Sequence, residues 1–206
     1  MGSNVLLITQ IAEELQRDFA RNIEVYPLPS FPPSTVGAID VSYKGEEGFA
    51  SYVITDMEGK VLHIENLSLS SFFPYIPEFL FLMEAPFVID IFKKTNFIPD
   101  VLLLNGHGLA HPRNCGLATF IGILLRQPTI GVATSLLKNT RSNLYRCVSS
   151  KSGKKLYISI GNLITLDQAF TIVSKLMGKK LPLPLEYADR FSRMFSRGLE
   201  VEETDL

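Results

Sequence analysis

Residues 99–133, PDVLLLNGHGLAHPRNCGLATFIGILLRQPTIGVA, decide the fold. The four aliphatic residues Val101–Leu104 are too few for a helix and lack the alternation of a half-exposed strand, so they read as a strand buried on both faces. Asn105-Gly106 ends it, and Gly108, His111, Pro112 and Arg113 make an irregular loop. A helix is predicted from Asn114 to Arg126 and a second short strand over Thr129–Ala133. Strand, loop, helix and strand form the right-handed crossover that joins parallel neighbours. The carboxyl end of such a strand is where α/β sheets place their sites, and His107 and His111 both fall in that loop.

Upstream, Val36–Tyr43, Phe49–Thr55 and Val61–Leu67 read as strands joined by the glycine-containing connections KGEEG and DMEGK, an antiparallel meander. An amphipathic helix over residues 5–22, with Leu6, Leu7, Ile11, Leu15 and Phe19, precedes them and is followed by the proline-rich Pro27–Pro33. A helix from Glu78 to Lys94 links the meander to the central unit. The expected fold class is therefore α/β: a mixed five-stranded sheet, three-strand meander plus parallel strands, flanked by helices. The ribonuclease H-like fold is one such sheet. Asn143–Cys147 and Leu156–Ile160 flank the turn SSKSGKK, and helices are expected over Leu166–Met177 and Leu185–Arg197. Residues 201–206, VEETDL, read as a frayed acidic tail.

With 206 residues and 46% hydrophobic content, a single domain over 1–206 is expected. A net charge of −1 excludes a global attraction for polyanions, so nucleic-acid contacts would have to come from local basic groups. Lys151, Lys154 and Lys155, Lys179 and Lys180, and Arg190, Arg193 and Arg197 could contact phosphates, although solvated surface charge is the default explanation of each cluster. Cys115 and Cys147 lack metal-ligand spacing, and no segment resembles a signal peptide or a membrane span. A cytoplasmic, soluble monomer with no membrane partner is the expectation.

Two polar positions and one proline-flanked segment stand out. Glu84 has Leu80, Phe81, Phe87 and Val88 at helical spacing, where a carboxylate is unfavourable unless paired. It either reaches an edge or an arginine, or it serves a metal or catalytic site. Asp40, flanked on its strand face by Ala38 and Ser42, either faces solvent at a strand end or meets Asn105, should the two strands be parallel neighbours. PYIP, residues 74–77, places Tyr75 and Ile76 between prolines, a stiff protrusion suited to insertion between bases or simply the start of a helix.

Taken together, VGAIDVSY, PYIPEFLFLMEAP, the 99–133 segment and LPLPLEYADRFSR resemble the motifs of the endonuclease V family, in the same order and over most of the chain. The resemblance implies a ribonuclease H-like fold, a Mg²⁺ or Mn²⁺ cofactor, recognition of inosine (deaminated adenine) in nucleic acid, and hydrolysis of a phosphodiester on its 3′ side. Asp40 matches the family's first metal-binding aspartate and Glu84 its glutamate. Tyr75, Ile76 and Pro77 match the strand-separating wedge, while Gly106, Gly108, Leu109 and His111 match the base-pocket loop, with His111 expected to orient the scissile phosphate or the pocket.

The departures fall on the chemistry. Asn105 stands where the family has its central metal-binding aspartate, Asn162 where a histidine near the metal is common, Thr134 where a lysine is expected, and Met83 where an arginine precedes the glutamate. An amide oxygen coordinates Mg²⁺ but brings no charge. The expected metal set is Asp40, Glu84 and Asn105, with two carboxylates instead of three, and losing one such electrostatic group lowers a rate by roughly 10²- to 10³-fold. Two functions follow: a weakened metal-dependent nuclease acting at inosine in DNA or RNA, or a non-catalytic binder of inosine or distorted strands. A related nuclease that recruits a nearby group such as Asp167 is a third.

Overall fold

The computed structural model describes residues 2–70 and 73–201. The tail expected at 201–206 lies, but for Val201, outside the described residues.

The meander folds as read: β1 (Val36–Lys44), β2 (Glu47–Thr55) and β3 (Val61–Ser70) pair antiparallel. The buried run is β4 (Val101–Leu104), parallel to β1 with Ile39 opposite Leu104, and β5 (Thr129–Ala133) lies parallel on its other side. The sheet has seven strands rather than five, in the order β3-β2-β1-β4-β5-β7-β6. The two additional strands, β6 (Arg146–Ser149) and β7 (Lys155–Asn162), are the runs flanking SSKSGKK. β7 adds antiparallel to β5 and extends the sheet, because its alternate residues Leu156, Ile158 and Ile160 complete the same core.

Helices cover both faces. α1 (Gly2–Ala20), α2 (Leu80–Lys94) and α3 (Leu117–Leu125) enclose a core with Ile39, Tyr52, Leu102 and Leu104. α4 (Leu166–Lys175) and α5 (Leu183–Phe195) enclose the other with Ala38, Leu103, Val132 and Ile158. β4 supplies alternate residues to both cores, which is why all four of its side chains are apolar.

Two helix starts differ from expectation for a backbone reason. Glu78 has φ 72 and Asn114 φ 56, left-handed values that a helix cannot include, so α2 begins at Leu80 and α3 at Leu117. α1 is rotated from the face its pattern suggests, so that of the expected apolar residues only Phe19 points inward. Ala12, Gln16 and Phe19 face the core, whereas Leu6, Leu7 and Ile11 are about 60% exposed. Gln16 wins the inner position because its amide is used, donating to the carbonyls of Cys115 and Glu78.

Candidate active site

The parallel pairing of β1 and β4 ends at Ile39 and Leu104, so Asp40 and Asn105 emerge side by side at the carboxyl edge of the sheet. The Asn105 Nδ2 donates to Asp40 Oδ1 at 3.0 Å. Glu84 reaches the same place from α2 on one face, and Asp189 from α5 on the other. Together with Tyr43 and Arg193 they line one open crevice of about 500 Å³. A Ser42 Oγ–Ser192 Oγ hydrogen bond of 2.7 Å ties β1 to α5 beside it.

The crevice crowds acids whose burial makes ionisation costly. Burial pushes the Asp40 acid up to about 6, opposed by the bond from Asn105, raised again by Asp189 and lowered by Arg193. Glu84 is raised well above the ordinary range by burial and then by Asp40. Tyr43 is raised too, by burial, Glu84 and Asp40. Asp189 is held by Arg193 at 2.6 Å.

Three carboxylates and an amide, all hard oxygen donors, suit Mg²⁺ or Mn²⁺. A cation among them would offset the burial, and the lesser repulsion, that raise Asp40 and Glu84. The donors are not yet gathered around a point: among the described residues no three acidic, histidine or cysteine side chains stand close enough to hold an ion. Two internal bonds occupy donor oxygens that an ion would need, Asn105 to Asp40 and Arg193 to Asp189. Turning the Asn105 amide by half a rotation presents its oxygen instead.

A second pocket, about 210 Å³, opens beside Asn105 and is lined by Tyr75, Gly106, His107, His111, Leu117 and Thr134, among others. Tyr75 is 67% exposed at its mouth. Of the other residues expected here, Ile76 packs partly into the core below α2, and Pro77 is exposed outside the lining. Gly108 and Leu109 act behind the pocket. Leu109 N donates to the Ile160 carbonyl at 2.6 Å and Gly108 N to Ser159 Oγ at 2.9 Å, and a Cβ on Gly108 would collide with that same carbonyl.

His111 lines this pocket rather than the carboxylate crevice and is 3% exposed. Its Nδ1 accepts from Arg113 N at 3.2 Å, so its Nε2 donates to the Glu78 carbonyl at 3.0 Å. Burial first, then Arg113, hold its pKa down to about 3. A neutral ring with both nitrogens engaged shapes the pocket wall, which agrees with the pocket alternative of its expected role and sets it outside the carboxylate crevice. His107 is likewise lowered by burial, and its buried Nε2 has no hydrogen-bond partner among the described residues.

Two expectations are corrected. Asn162 pairs with Thr129 at the opposite end of β5, accepting from Glu24 N at 2.9 Å and donating to the Gly122 carbonyl at 3.0 Å. It fastens the chain before β1 to α3 and lies nowhere near Asp40. Asp167 is exposed and pairs with Arg146 at 2.9 Å, away from the crevice. Thr134, by contrast, does sit beside Asn105 at the end of β5. The residue that sequence reasoning missed is Asp189. It lies four residues after the buried Leu185 and three before the buried Ser192, the inward spacing of an amphipathic helix, so the signal was present in LPLPLEYADRFSR.

The Endonuclease V family model matches residues 17–190. The chain belongs to the endonuclease V family. Membership makes it an endonuclease by class, with a ribonuclease H-like fold. It is 46% identical over 171 residues to Endonuclease V of Pyrococcus horikoshii, covering 82% of this chain and 77% of that one. It is 42% identical over 183 residues to Endonuclease V of Thermococcus kodakarensis, covering 88% and 89%. Among solved structures, the catalytic domain of human Endonuclease V superposes with a TM-score of 0.82 at 24% identity, covering 94% of this chain and 98% of that one, a likeness of fold. Ciona intestinalis Endonuclease V, solved with a 23mer DNA containing an inosine followed by a ribo-adenosine, matches with a TM-score of 0.80 at 25% identity, covering 93% and 99%. No helix among the described residues is long and apolar enough to cross a membrane.

Proposed function

We propose that this protein recognises inosine in DNA or RNA and hydrolyses a phosphodiester on its 3′ side with Mg²⁺ or Mn²⁺, at a rate lowered by Asn105. The observation that carries this reading is the meeting of Asp40, Glu84, Asp189 and Asn105 in one crevice, next to a pocket with an exposed tyrosine at its mouth. The Ciona relative's inosine-containing DNA supports the substrate class. A bound divalent ion supplies charge stabilisation at phosphorus and a more acidic water.

Asp40, Glu84 and Asp189 would hold the ion as carboxylates, and Asn105 through its amide oxygen. Asp40 and Glu84 must first lose the protons that burial favours, and Arg193 must let go of Asp189. Released, Arg193 faces the crevice as a donor to phosphate oxygens, a cation on a side of the site where Thr134 offers none. Tyr75 would fill the gap left by a nucleotide turned into the pocket, and Leu117 and His111 would wall its base.

Incubating the protein with an inosine-containing strand and Mn²⁺ or Mg²⁺ tests this. Slow cleavage, lost in Asp40→Ala and raised about 10²- to 10³-fold in Asn105→Asp, is expected. The bond from Asn105 to Asp40 favours one other reading, a site closed on itself in a protein that binds inosine without cutting. Tight binding with no cleavage under either ion would establish that reading instead.

A further inference from the structure

A third cleft, about 500 Å³, shares Asn105, Asp189 and Arg193 with the carboxylate crevice and Asn105 and Thr134 with the pocket, and extends past them along α5. Its walls carry Lys154, Lys179, Lys180, Arg190 and Arg193. These come from three separate elements: the β6–β7 turn, the α4–α5 loop and α5. The turn and the loop are bound to each other, Lys151 N donating to the Gly178 carbonyl at 3.2 Å and Ser152 N to the Lys179 carbonyl at 2.9 Å. Glu186 Oε1 accepts from the backbone of Lys180 and, at 3.1 Å, of Leu181, which secures the loop to α5.

The two carboxylates of the cleft are thereby occupied, Glu186 by backbone N–H groups and Asp189 by Arg193. The lysine ammonium groups stand exposed around a groove whose backbone is fastened in place. Arg190 lies against the rings of Tyr187 and Phe191, at 5.4 and 4.9 Å from their centres, which fixes its direction. A protein with a net charge of −1 has concentrated cations along one channel that begins at its reactive centre.

We propose that this groove holds the phosphates of a single nucleic-acid strand on the 3′ side of the bond that is cut. The inference rests on the nuclease reading above. With the base in the pocket beside Tyr75 and the bond to be cut over Asp40 and Asn105, the strand leaves the site past Asn105 and Thr134, the two residues shared by pocket and groove. The groove follows that exit. The 5′ side lies back towards Tyr75, where no comparable set of cations lines the pocket.

The test measures binding of labelled strands to the full chain in EDTA, so that none is cut. One strand carries inosine with a tail of several nucleotides on its 3′ side, a second carries the same tail on its 5′ side, and a third has adenosine in place of inosine. The K154A/K179A/K180A variant should bind the 3′-tailed strand more weakly and the 5′-tailed strand as before. Raising salt from about 50 mM to about 200 mM should weaken binding of the 3′-tailed strand by about 20-fold more in the parent than in the variant, from three phosphate contacts at about 0.7 in log–log slope each. Should the triple variant melt early, K179A alone carries the test with a slope change of about 0.7. Equal losses on both tailed strands, or none, would overturn the groove. Equal binding of inosine and adenosine strands with the tail effect retained would overturn the inosine reading and leave the groove supported.

Discussion

Replacing Asn105 by aspartate tests the central electrostatic argument, because it converts a neutral donor into a second charge against Asp40. The 3.0 Å bond from Nδ2 to Oδ1 becomes a carboxylate pair. At an effective dielectric constant of about 20, two charges about 4 Å apart repel by about 4 kcal/mol. Protonation limits the penalty. Asp40 already takes a proton at about 6, so acquiring one at pH 7 costs about 1.4 kcal/mol, after which a shared proton joins the pair. In EDTA the variant should therefore be about 1–2 kcal/mol less stable than the parent, a fall of about 2–8 °C in Tm, and should bind about one more proton. A divalent ion reverses the order. At 100 times the variant's Kd, and below that of the parent with its one fewer carboxylate, the ion adds about 2.7 kcal/mol to the variant, more than the penalty. Scanning calorimetry of parent and variant, in EDTA and in Mg²⁺ or Mn²⁺, reads both signs. A variant that melts at or above the parent in EDTA, or that gains nothing from either ion, would refute the reasoning.

The other predictions follow from the same geometry. Asp40 ordinarily titrates near 3.8 and in the fold near 6, so the folded state binds more protons across that window and loses stability as pH rises through it, by about 3 kcal/mol in total. Asp40→Asn should remove that decline. The parent-minus-variant difference is the quantity to follow in urea titrations, because His111, held down to about 3, destabilises the fold on acidification and pushes the other way. Asn162→Ala strands Glu24 N and the Gly122 carbonyl and should lower stability by about 2 kcal/mol while leaving strand binding unchanged, measured by denaturation and by fluorescence anisotropy. Tyr75→Ala removes a side chain that is 67% exposed, so Tm should hold while affinity for an inosine strand falls by about 1–3 kcal/mol, the scale of one stacked base.

Much of the site was legible before the fold was known. Glu84 stood out because an acid among Leu80, Phe81, Phe87 and Val88 requires a reason, and Asp40 and Asn105 could be paired by supposing their strands parallel. Asn162 misled because its place in the SIGN segment says nothing about which end of β7 it occupies. The register with Thr129 puts it at the far edge. Asp189 escaped notice because its spacing from Leu185 and Ser192 marks the inward side of α5 without saying what that side meets, which the packing of α5 across β1 supplies. The helix starts were misplaced by Glu78 and Asn114, whose left-handed backbone leaves no trace in hydrophobic periodicity.

Sequence by itself determined the class of fold and the chemical character of the centre, since a doubly buried strand ending in Asn105 needs only local pattern to be read. Tertiary structure alone decided how many acids share the crevice, which way His111 spends its nitrogens, and that scattered lysines form one channel. Those depend on elements far apart in the chain arriving at one sheet edge, a matter of packing and register that no local run of residues encodes.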